Sequence, residues 1–181
     1  MARLKSITGK DQVPAEHHAV FDAVVASRGA VQGPFTMLMH CPPLAEHVMR
    51  LGAYVRFEGK LDKRVRVLAA MVVARELDVV YVWGAQTGIA RKLDVPDATV
   101  AAIRERHSCG LPPEDAEIVD FTRDLVRKHR VSADSVKALQ RRFGDEQFIE
   151  LIGTIGYYSM LAMTANACEL EASAGAEVLQ D

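Results

Sequence analysis

Hydrophobic positions along the chain recur at helical spacing, and the two-residue alternation of a half-buried strand is almost absent. Prolines, glycines and capping residues cut the sequence into helical lengths, which predicts an all-α fold. A first helix is expected to start at Pro14, to place Val20, Val24 and Val25 on its apolar side, and to end at Gly29, a residue suited to a left-handed cap. The segment GPFTMLMH (33–40) reads as a short turn, after which Pro42 and Pro43 open a second helix running to Gly59. Asp62 is placed to cap the next helix, KRVRVLAAMVVAREL, by accepting hydrogen bonds from the free amides of its first turn. That helix is apolar nearly all round its middle, so a central position is expected.

Further helices are predicted over 80–93 and from Val95 and Pro96 through PDATVAAIRER. The loop HSCGLPP follows, too short to separate independent domains, and then EDAEIVDFTRDLVRKHR reads as another helix. Ser132 caps ADSVKALQRRF, and Gly144 and Asp145 lead into a long, mostly apolar last helix. Phe148, Leu151, Ile152, Ile155, Tyr158, Met160 and Met163 cover more than one face of it, which fits either the centre of a large bundle or half burial in a subunit interface, and the small size of the domain favours the interface. The tail, ASAGAEVLQD, is expected to fray.

Composition narrows the picture. With 181 residues and 49% hydrophobic content the chain is long enough to bury one continuous core, and a single domain over 1–181 is expected. No run of about 18 uninterrupted apolar residues occurs and the N-terminus has no apolar run behind its basic residues, so neither a membrane partner nor an export signal is expected. Cys41, Cys109 and Cys168 are far apart and odd in number, which fits a reducing cytoplasm and no disulfide framework. A net charge of −2 argues against a nucleic-acid partner. The dense basic stretch from Arg123 to Arg142 is interleaved with Asp124 and Asp134 and reads as solvated helix surface. His17, His18 and His47 form no ligand set with any acid or thiol, so no metal and no cofactor are expected.

One stretch carries a resemblance. LDKRVRVLAAMVVARELDVVYVWGAQTGIARKLDVPDATVAAIRE, flanked by GPFTMLMHCPPLAEHVMRLGAYVRFEG and DEQFIELIGTIGYYSMLAMTANACELE, strongly resembles the core of the alkylhydroperoxidase D-like, carboxymuconolactone decarboxylase family, over roughly residues 14–171. The resemblance implies an all-helical fold, assembly into trimers, hexamers or dimers, and a pocket beside the central helix pair near a subunit boundary. Redox members of that family use a glutamate, a Cys-x-x-Cys pair and a histidine. By spacing those positions fall on Val67, Val79, Val82 and Gln86, and none of the four residues is retained. Members without thiols often keep a glutamate and a histidine at the last two positions, which here are Val82 and Gln86. Valine transfers no proton and glutamine is not a useful base near neutral pH. The framework of Arg66, Tyr81, Trp83, Ile89, Ala90 and the GYY of residues 156–158 persists around them.

The polar groups of any surviving site must therefore come from elsewhere. Val79, Val82 and Gln86 share a helix face, and the Gln86 amide is suited either to orienting a carbonyl or carboxylate or to closing a dead site against its own backbone. Tyr81 points to another side of the helix, and Trp83 reads as packing. His40 and Cys41 lie just ahead of a helix start, where the dipole favours a thiolate, the basis for a weak single-cysteine peroxidase reading. Arg56 and Arg66 are of the type that holds a carboxylate, although pairing with Glu76 or Glu58 is the commoner use. Tyr157 and Tyr158 are expected to send one hydroxyl to the pocket and one to the interface. The expected function is a non-redox protein binding a small carboxylic acid, lactone or ring-cleavage product, with Gln86, Tyr81 and His40 as catalytic candidates and Arg66, Trp83, Val67, Val79, Val82 and Tyr157 around the ligand. Any turnover would be decarboxylation or isomerisation. A silent oligomeric module is the alternative.

Overall fold

The structure, a computed structural model, describes residues 2–171 together with 175 and 179. Apart from those two positions, the tail expected to fray falls outside the described residues. Among the described residues there are eight α-helices and no strand. They are α1 (His18–Arg28), α2 (Pro34–Leu38), α3 (Pro42–Ala53), α4 (Lys63–Glu76), α5 (Val80–Lys92), α6 (Asp97–Arg104), α7 (Pro113–Lys128) and α8 (Ala133–Ala167).

Helix α4 is central, as its all-round apolarity predicts: every residue from Val65 to Ala74 is buried, and α5, α7 and α8 pack around it. The Asp62 carboxylate accepts from the amides of Arg64 and Val65, so the cap sits where the sequence places it. Ser132 likewise accepts from the Ser135 amide at the start of α8. Gly29 ends α1 with φ of 82°, a conformation open to glycine. Within α8 the chain breaks helical geometry at Gly144 (φ 72°), so the apolar part beyond Asp145 starts afresh, in agreement with the expected boundary.

Three local predictions need correction. The segment read as a turn is helix α2, whose five residues are all buried; Pro34 at its first position supplies a preset φ, and Gly33 ahead of it adopts φ of 56°. The helix expected to run to Gly59 is α3 only to Ala53. Its last five residues, Tyr54–Glu58, form a wider π turn, a geometry associated with functional sites. The basic stretch is only partly solvated surface: Arg123, with a side chain 13% exposed, meets the buried carboxylate of Glu76 at 3.0 Å. Arg127 and Arg106 also approach that carboxylate, at 3.2 and 3.7 Å.

Helix α8 packs Phe148, Leu151, Ile155 and Leu161 inward, while Ile149, Ile152 and Met163 are exposed. By length and composition α8 is apolar enough to cross a bilayer, and half of that apolar stretch is buried inside the fold, as in a core helix.

Candidate functional site

Seven polar side chains converge on a cavity of about 150 Å³: Arg28, Gln32, Arg56, Tyr81, Gln86, Tyr157 and Tyr158. Phe35, Val82, Ile89 and Leu161 supply apolar wall.

Arg28 is the last residue of α1. Its guanidinium lies 4.0 Å over the Phe35 ring, and Nη2 donates to the Tyr157 hydroxyl at 3.0 Å. Its buried Nε has no hydrogen-bond partner among the described residues. Gly52 of α3 makes room for this pair, because a Cβ there would collide with both the Tyr157 hydroxyl and Arg28 Nη2. Arg56 comes from the π turn. Arg66 Nη1 donates to the carbonyl of Val55, one residue earlier, and so ties that turn to α4. The Arg56 guanidinium sits 4.7 Å from the Phe57 ring centroid and has no hydrogen-bond or ion-pair partner among the described residues.

From α5, Gln86 Nε2 donates to the Tyr158 hydroxyl at 3.3 Å. Tyr157 and Tyr158 stack edge to face, with ring centroids 5.2 Å apart. Burial pushes the Tyr158 phenol above its ordinary pKa and the neighbouring Tyr157 adds to this, against the opposing pull of Arg56, the Gln86 hydrogen bond and Arg28. Tyr158 is therefore a neutral phenol near neutral pH, with a proton to donate. Two guanidiniums and no carboxylate or thiol line this cavity. Such a partly dry, positive, aromatic-walled space favours an anion with a flat body.

The sequence candidates distribute as follows. Gln86, Val82, Tyr81 and Tyr157 all reach the cavity, while Val67 and Arg66 line a neighbouring cavity on the other side of Gln86. Tyr81 does not point away from Gln86, since its ring, laid against Gly33, is long enough to wrap back to the same space. Tyr157 and Tyr158 do not divide between pocket and surface. Both are buried and both line the cavity, which wraps around this part of α8. Arg66 does not pair with an acid; Glu76 is taken by Arg123, Arg127 and Arg106 instead.

Val79 precedes the first turn of α5 and is buried in the core, 1% exposed. Trp83 is fully buried among core residues, with the Arg104 guanidinium 5.7 Å from its ring. His40 and Cys41 are exposed and line neither cavity. The turn between α2 and α3 faces them outward, where His40 Nε2 lies 2.9 Å from the carbonyl of Lys5. Arg28 is the residue that sequence reasoning missed. A cation in the last turn of a helix reads as dipole complementation, and only tertiary packing turns it inward.

Comparisons with known proteins agree with this architecture. A model of the carboxymuconolactone decarboxylase family matches residues 42–119. No curated protein matches the sequence significantly. Among solved structures, the chain is similar to an alkylhydroperoxidase AhpD core, an uncharacterized peroxidase-related protein from Ralstonia eutropha JMP134, with a TM-score of 0.78 and 17% identity over 96% of this chain and 93% of that one. It is similar to an uncharacterized peroxidase-related protein from Silicibacter sp. TM1040, with a TM-score of 0.75 and 18% identity over 96% of each chain. A cysteine-to-alanine variant of the debrominase Bmp8, in complex with 2,3,4-tribromopyrrole, gives a TM-score of 0.74 and 18% identity, covering 96% of this chain and 95% of the debrominase.

Proposed function

We propose that the chain is a member of the carboxymuconolactone decarboxylase, AhpD-like family, whose model matches residues 42–119, and that it works without redox chemistry, binding a small unsaturated or aromatic carboxylate, or a lactone acid, beside Gln86. The observation that carries this reading is the pair Arg28 and Arg56, facing an otherwise largely apolar cavity whose wall holds neither a carboxylate nor a thiol. Arginine suits this task, because its planar fork matches a carboxylate and its face stacks on aromatic rings. A cavity of about 150 Å³ accepts a body of about one benzene ring. The single substituted ring in the debrominase complex is of that class.

Turnover at such a site would be decarboxylation or isomerisation. In decarboxylation the bond to the carboxylate carbon breaks, carbon dioxide leaves, and the electron pair moves into a conjugated carbonyl as an enolate. Arg28, Arg56 and the Gln86 amide stabilise the oxyanion. The Tyr158 hydroxyl returns a proton to carbon and recovers one from water. Tyr81 and Tyr157 shape the wall, and Val82 keeps it apolar.

The test is thermal denaturation with a panel of small unsaturated carboxylates and lactone acids. A binder at about a hundred times its Kd is expected to raise Tm by on the order of 5–10 °C, and Arg28→Ala with Arg56→Ala to abolish the rise. A panel that leaves Tm unmoved would overturn the reading.

We also propose that the chain self-associates. Leu51, Phe57, Ile149, Ile152 and Met163 leave large apolar side chains in water, and Gly153 and Gly156 of α8 have open space where a Cβ would project, which permits close approach of a second backbone. This face also supports the alternative in which assembly is the whole role and the cavity is vestigial.

A further inference from the structure

Gln86 lines two neighbouring cavities. On one side is the chamber of about 150 Å³ with Arg28 and Arg56. On the other is a chamber of about 210 Å³ reached by Val55, Val67 and Leu93. Arg56, Gln86, Ile89 and Tyr158 line both. Within that shared wall the Gln86 amide donates to the Tyr158 hydroxyl at 3.3 Å, beyond the usual N–H···O range. Glutamine carries several rotatable bonds, so its amide has other rotamers to adopt away from that long bond.

The two chambers differ in what they offer. The first adds the Arg28 guanidinium, held by the Tyr157 hydroxyl, to the Arg56 that both share. In the second the Arg66 guanidinium is engaged by the Val55 carbonyl and Lys63 is exposed, while Val55, Val67, Ile89 and Leu93 supply a stretch of aliphatic wall. Phe57, 63% exposed, adds an aromatic ring to this lining, 4.7 Å from the Arg56 guanidinium. A ligand filling both has an acidic ring at one end and a flat apolar extension at the other.

We propose that the site takes a two-ring aromatic monocarboxylate whose acidic ring lies between Arg28 and Arg56 and whose second ring passes between Gln86 and Tyr158 into the Val67 chamber. This rests on the anion-binding reading above and narrows its ligand class. Gln86 is then the residue that sets ligand length, its amide moving from Tyr158 to the edge of the bound molecule.

The experiment is isothermal titration of the full chain with benzoate and with biphenyl-4-carboxylate. The two-ring acid is expected to bind at least tenfold more tightly than benzoate. Val67→Phe, which fills the second chamber, should bring that ratio close to one, and Gln86→Ala should raise it. Should Val67→Phe fail to fold, Phe57→Ala, at an exposed position, is expected to lower the ratio severalfold. Benzoate binding with a ratio near one in the unaltered chain would overturn the two-chamber ligand while leaving the anion site standing. Failure of both acids to bind would overturn both.

Discussion

Glu150 shows how one side chain fixes the frame of the cavity. Its carboxylate accepts from the Tyr54 hydroxyl at 2.7 Å and from the amides of Lys60 and Leu61 at 3.1 and 2.7 Å, so α8 holds the π turn and the loop that follows it. Arg56 projects from the turn so held. Burial pushes the Glu150 carboxyl upward, yet the hydrogen bonds from Tyr54, Lys60 and Leu61 and the Lys60 charge outweigh it and leave it below its ordinary value of 4.5. A depressed carboxylate stabilises the fold fully above its unfolded pKa and loses that contribution as pH falls through the lower folded value. Melting temperature is therefore expected to drop as pH falls below about 4.5, and Glu150→Gln, less stable at pH 7, to show a smaller drop. Equal pH slopes for the two proteins would contradict this assignment.

At the scale of elements, the strongest prediction concerns α4. Removing the carboxylate that accepts from Arg64 and Val65 should cost about 1 kcal/mol, so Asp62→Ala is expected to lower Tm by roughly 2–4 °C; calorimetry checks it, and an unchanged Tm would mean that the packing of α5, α7 and α8 fixes this helix end by itself. The cap was legible because capping is local chemistry: a short acid beside free amides reads the same in sequence and in structure. Gly29 and Gly144 were legible for the same reason. Helix α2 was not, since five residues give no period, and its burial comes from α3 and α8 closing over it. The π turn was invisible for a related reason. YVRFE carries no local signal for it, and the arginine that bonds to its Val55 carbonyl comes from the next helix. The site was half legible. Gln86 and Val82 follow from position along α5, but Arg28 lies more than fifty residues away and meets them only through tertiary packing. The orientation of neighbouring tyrosines likewise depends on where the cavity wraps.

For the whole molecule, the central observation is that α4 joins two unlike environments. Its C-terminal end carries Glu76, 1% exposed, among three arginines from α7 and the segment after α6, while Arg66 and Val67 nearer its start face the cavities. Outside that bundle, the apolar surface of α8 sets the expected state in solution. Sedimentation at micromolar concentration is expected to show an oligomer, and Ile149→Glu, which places a charge at a 63% exposed apolar site, to shift it toward monomer with little change in helicity. A monomer before the substitution would remove self-association from the proposed function.

Trp83 is the chain's one tryptophan, and it lies wholly inside the core directly after Val82, a residue of the cavity wall. The molecule thus carries a built-in optical reporter. Its emission should lie to the blue of a hydrated indole and resist quenching by iodide until the chain unfolds. Because the fluorophore is unique, a change in its lifetime when an acid enters beside Gln86 has a single source, and occupancy becomes readable in the native protein without a label.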